Sequence, residues 1–153
     1  MAMPQPNEHH HRLTALAGTW VGQEHMHPSP WVPEGSVADA RIVNHRGAGG
    51  FVLAQDYEQR RDGEVVFSGH GVFWIDPSSG EVRLSWWDAM GMAPNEFRGR
   101  WDGDQLVLRT QSPMGHTRAS WVLTAEGYAH TMEMSQDGEQ WKVLMEGSYR
   151  REG

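Results

Sequence analysis

The chain has 153 residues, a formal net charge of −7 and no cysteine. That length suits one domain with its own core, residues 1–153, and the missing thiols exclude disulfides and thiolate metal sites, leaving His, Asp and Glu for any metal. Interspersed charges of both signs argue against nucleic acid, and the lack of both a signal-like leader and a run of roughly 18 apolar residues argues against a membrane, so a cytoplasmic protein is expected.

Asn7 can cap a short helix running to about residue 17, with Leu13, Leu16 and Ala17 on one side and Gly18 ending it. Helical periodicity then gives way to alternation, which predicts ten strands over 20–26, 37–46, 51–60, 64–75, 81–87, 95–101, 105–111, 116–123, 128–135 and 140–150. Turn chemistry joins them: Arg61-Asp62-Gly63, Asp76 to Gly80, Asp102-Gly103, Glu126-Gly127 and Asp137-Gly138 supply the positive backbone angles of tight links. Val82, Leu84 and Trp86 oppose Arg83 and Ser85, and Trp141, Val143 and Met145 oppose Lys142 and Glu146. Short links make successive strands antiparallel neighbours, and ten twisted strands curl until their edges meet. The expected fold is all-β: a ten-stranded antiparallel up-and-down barrel over 18–151, closed at one end by a helix over 7–17. A two-sheet sandwich of the same strands is the alternative. Gly18-Thr19-Trp20, heading the first strand, places an indole across the barrel floor.

Eight Trp and nine Met suit the lining of an apolar pocket. The connection Asp88-Ala89-Met90-Gly91-Met92-Ala93-Pro94 and the segment Met114-Gly115-His116 are expected at the barrel mouth, where selectivity is set. The pocket residues expected are Trp86, Asp88, Met90, Met114, His116, His70, Met132 and Arg118. Asp88 and Asp56 stand beside large aromatics, a setting that suits an acid or base, and Asp88, His70 and His116 are the catalytic candidates. Arg98, Arg118 and Arg150 could hold such acids ionised or grip a ligand carboxylate. His25 and His27, two apart on a strand, with His70 as a third ligand and His116 or Glu24 in reserve, could bind a divalent transition metal. Parity opposes this: if Trp20 points inward, so do Gly22, Glu24 and Met26, and both histidines point out. A cupin-like His-x-His reading fails because Glu34 is too distant and no second motif follows. His9-His10-His11 reads as a solvated helix face. No nucleophile elbow, phosphate loop or dinucleotide fingerprint is present.

The run Leu16-Ala17-Gly18-Thr19-Trp20-Val21-Gly22, the ten-strand meander and the closing Tyr149-Arg150-Arg151 resemble the calycin group of lipocalins, fatty-acid-binding proteins and nitrobindins. The segments His25-Met26-His27-Pro28-Ser29-Pro30-Trp31, Gly69-His70-Gly71-Val72-Phe73, Glu96-Phe97-Arg98-Gly99 and Met132 to Gly138 resemble an uncharacterised bacterial family of short proteins. The calycin likeness implies a small hydrophobic ligand inside the barrel. Two departures matter. The link from Pro28 to Ser36 is too short for the helical pair of fatty-acid-binding proteins, and Val143, Leu144, Met145 and Glu146 stand where nitrobindins carry a haem-ligating histidine, leaving His130 as the substitute.

Three readings follow. The first is a barrel binding a small, apolar, aromatic or planar molecule. The second puts other chemistry in the same cavity: an enzyme, metal-dependent through His25, His27 and His70 or acid–base through Asp88 and a histidine, or a haem-binding, nitrobindin-like protein. The third is a solidly packed barrel acting through oligomerisation, with a homodimer the simplest form.

Overall fold

The structure is a computed structural model describing residues 2–30 and 32–152; Trp31, part of the Pro-rich link, lies outside them. The Asn7 side chain accepts from the backbone N–H groups of His9 and His10, and His10 returns a bond to the cap, which starts α1 (Glu8–Thr14). Ten strands follow: β1 (Gly18–Met26), β2 (Ser36–Gly47), β3 (Val52–Arg61), β4 (Glu64–Ile75), β5 (Val82–Asp88), β6 (Asn95–Asp102), β7 (Gln105–Ser112), β8 (Gly115–Leu123), β9 (Gly127–Ser135) and β10 (Lys142–Arg151). Each pairs antiparallel with the next, and β10 returns to β1 from Trp20↔Arg151 to Met26↔Met145. The sheet is therefore a closed up-and-down barrel, and the sandwich alternative falls. Among the described residues no helix is long and apolar enough to cross a membrane.

Odd-numbered strands rise from the helix end, which becomes the floor, and the connections 27–30 with 32–35, 62–63, 89–94, 113–114 and 136–141 form the mouth. The floor is bolted by hydrogen bonds to the carbonyls that end α1 and the turn after it, acceptors that helix geometry leaves unpaired. Trp20 Nε1 and Asn44 Nδ2 both donate to Leu16 O, each at 2.9 Å. Arg151 lies over the Trp20 indole, 4.3 Å from guanidinium carbon to ring centroid, and donates to Ala17 O and Ala15 O. Above this floor Leu53, Leu106, Leu108, Phe73 and Tyr128 are buried, and the space left between them is about 10 Å³. The lower half is solid.

Two irregularities shape the upper half. The β9–β10 register shifts between Val143 and Met145, so two residues of β10 oppose one step of β9. The expected alternation of Trp141, Val143 and Met145 breaks there: Met145 faces the interior, while Trp141 packs outside against Arg118, 4.1 Å from guanidinium carbon to ring centroid. The second irregularity is a parting of β6 and β7. Their ladder runs only from Arg98↔Arg109 to Asp102↔Gln105, so above it Asn95 to Phe97 pair with β5 alone and Thr110 to Ser112 with β8 alone.

Candidate ligand-binding site

Ten strands enclose more width than side chains fill when an eight-stranded barrel is just filled, and a cavity of about 380 Å³ remains in the upper half. One end of it is polar. Glu24, inward by the parity set at Trp20, is fully buried. Its Oε1 accepts from the Tyr57 hydroxyl and from Gln59 Nε2, the latter at 2.9 Å, and its Oε2 accepts from the Tyr149 hydroxyl. Tyr149 reaches this position because residue 147 is glycine, since a Cβ there would collide with the phenol oxygen. Burial first, and the Glu24 charge second, push the Tyr57, Tyr128 and Tyr149 hydroxyls well above the ordinary tyrosine value, so all three stay protonated.

The wall opposite is aromatic. Trp86 lies flat on β4 across Gly69 and Gly71: a Cβ on Gly71 would sit 3.0 Å from Trp86 Cε3, and one on Gly69 would overlap the ring. Asp88 fixes the indole in plane, accepting from Trp86 Nε1 at 3.1 Å, while its other oxygen accepts from Met90 N at 3.0 Å. Tyr57 stands tilted at 6.0 Å from the indole. With one face of Trp86 on backbone, the other is left to the cavity.

His130 on β9 also lines the chamber. Burial lowers its pKa to about 4, so the imidazole is neutral at physiological pH. Nδ1 lies 3.0 Å from Ser120 O; it must carry the proton to bond that carbonyl, which leaves the lone pair on Nε2.

Among the pocket residues expected from sequence, Trp86, Asp88 and Met132 lie at the cavity wall. The others do not. Met90 and Met114 are exposed in mouth connections. His70 points outward from β4, with Nδ1 2.8 Å from Asp56 Oδ1 and His45 on the far side of the same carboxylate; this contact is the first cause of Asp56's lowered pKa. His116 stands outside near Trp141. Arg118 is outside too, in a two-pronged bond to Glu133 at 3.0 and 2.9 Å. Arg98 pairs with Glu81 on the same surface, and Arg150 faces out beside the inward Tyr149. Among the described residues no arginine lines the chamber.

The histidine metal set is likewise dispersed. His25 is exposed on the outer face of β1, and His27 lies just beyond it with Nε2 2.8 Å from Glu146, whereas β2 and β3 separate both from His70. Among the described residues no three His, Cys, Asp or Glu side chains group to hold a metal ion. Of the polar cluster, only Glu24 is marked in the sequence, as a reserve metal ligand; Tyr57, Gln59 and Tyr149 are not. The sequence signals for the cluster are Glu24's inward parity from Trp20 and the polar set Gln55, Tyr57 and Gln59 at a spacing of two on β3, a strand with a polar inner face.

Fold and chamber together define a closed ten-stranded antiparallel barrel whose upper half is hollow, acid-lined and aromatic. The chain belongs to the family described as "Protein of unknown function (DUF1579)", whose model matches residues 5–151. Among solved structures, the chain resembles Rv2717c from M. tuberculosis, with a TM-score of 0.75 over 96% of this chain and 99% of that one. Identity is 16%, so the likeness concerns the fold. No curated protein matches the chain.

Proposed function

We propose that the protein holds a small, planar, largely apolar molecule in the upper half of its barrel, stacked on Trp86 with its polar group turned toward Glu24, Tyr57 and Tyr149. The observation that carries this reading is the pose of Trp86, laid on two glycines and pinned by Asp88 so that one broad face addresses the cavity. A side chain serving only as filler needs neither a flat seat nor a hydrogen bond that fixes its plane. The volume suits such a guest, since ligand pockets begin at about 300 Å³. A cysteine-free chain also suits the reducing cytoplasm.

Native mass spectrometry of untagged protein, before and after denaturation, tests the reading. A copurified mass that is lost on unfolding and absent from Trp86→Ala supports it. Untagged protein that carries no such mass, and whose tryptophan fluorescence ignores planar aromatic probes, would overturn it.

Haem is the second reading, favoured by one observation: His130 is the one histidine among the described residues that lines the cavity, and it is neutral there. The chemistry of Nε2 suits an axial iron ligand, and the Ser120 carbonyl would hold the ring in the required tautomer. Bound haem would supply a redox-active iron that takes diatomic ligands. Titration with hemin should then give a Soret band that His130→Ala removes.

A further inference from the structure

The cavity has a sign. Two carboxylates, Glu24 and Asp88, stand in its wall, and no arginine or lysine joins them. Neither carboxylate has a salt-bridge partner among the described residues, whose ion pairs involve other side chains. Glu24 is fully buried and Asp88 is half-buried, so water screens the first hardly at all. Glu24 is dressed by three donors, two hydroxyls and one amide. The faces of Tyr57, Tyr128, Tyr149 and Trp86 around it are the electron-rich surfaces that attract a cation.

Resting on the stacked-ligand reading above, we infer that the guest is a planar organic cation, a protonated aromatic amine or nitrogen heterocycle whose charge faces the Glu24 end of the chamber while its rings lie on Trp86. An anion such as a fatty-acid carboxylate finds no counter-charge in this chamber and meets two like charges. A neutral ring system gains the stacking and the apolar burial but leaves the Glu24 charge without a partner. Charge is therefore the discriminating property, and shape alone the property shared by all three.

Three fused-ring probes of nearly equal size separate these terms: 9-aminoacridine as the cation, 9-anthracenemethanol as the neutral molecule and 9-anthracenecarboxylate as the anion. Titrated at pH 7 into the full chain and followed by fluorescence, the cation should bind about tenfold or more tighter than the neutral probe, as attraction to a poorly screened carboxylate provides. The anion should bind weakest. Glu24→Gln keeps the shape and removes the charge, so the preference should shrink to less than about threefold while the neutral probe's affinity holds. If that variant does not fold, the ranking on the unaltered chain decides. A neutral or anionic probe binding as tightly as the cation overturns the charge inference and leaves the stacking reading standing. If none of the three binds, both fall.

Discussion

Trp86 keeps its pose because nothing projects from the two positions beneath it. A methyl group at residue 69 would occupy the volume of the indole itself, so Gly69→Ala must tip the ring or spread β4 from β5. Overpacking of this kind costs about 1–3 kcal/mol, and planar probes should bind more weakly as well. Urea unfolding and a probe titration measure the two effects, and a variant unchanged in both would show that the seat does not matter. His130 makes a separate prediction. Its pKa is 6.5 in the unfolded chain and about 4 in the fold, so between those values the unfolded chain takes up a proton that the folded one refuses. Stability should therefore fall as pH drops through that window, by about 3 kcal/mol at its lower edge. His130→Asn keeps a donor for the Ser120 carbonyl but has no basic site, and its stability curve should be flatter than the wild-type curve from pH 6.5 to 4. Equal slopes would place the protonation elsewhere. At this scale the sequence was partly legible. Counting by twos from Trp20 puts Glu24 inside, and the same counting puts Trp86 and Asp88 on one face. What hid the acid was its solvation: its donors come from β3 and β10, some 33 and 125 residues away in sequence, and no local pattern announces such a pairing. His70 misled for the opposite reason, because Gly69 and Gly71 beside it serve Trp86 and not the imidazole.

At the level of elements, the floor is where one substitution should tell most. Trp20 spans the end of the barrel, ties itself to α1 through Leu16 O and supports Arg151 on its ring. Trp20→Ala removes filler, hydrogen bond and cation seat together, and a loss of about 3–5 kcal/mol is expected from denaturant unfolding. A midpoint unchanged from wild type would mean that α1 and the lower core close the barrel without it. Alternation and turn residues made the strands readable, and Asn7 did the same for the start of the helix; its end was not readable, since α1 stops at Thr14 with Ala15 as its cap and Gly18 opens β1 instead. The last strand was readable only in part: its pattern of Trp141, Val143 and Met145 is regular in sequence, but the extra residue at the register shift reverses which of them faces in. A bulge leaves no mark in composition, and its direction is decided by what the neighbouring strand places opposite.

For the molecule as a whole, closure follows from local facts. Short links force neighbours to pair, twist accumulates over ten strands, and Trp20↔Arg151 through Met26↔Met145 completes the ring. The half-filled interior follows from strand number and from where the large side chains fall. The separation of β6 from β7 above Arg98↔Arg109 bears on traffic. On the ligand-binding reading proposed above, a cylinder stitched all round would have to release a guest through the rim or by melting, whereas the stretch where β6 and β7 share no ladder pairs would offer a lengthwise doorway beside the chamber. Deuterium should enter the amides of Glu96 and Gln111, which face each other across the parting, well before those of β1 or β10 at the same height, and an occupied chamber should slow that entry if the guest leans against the doorway.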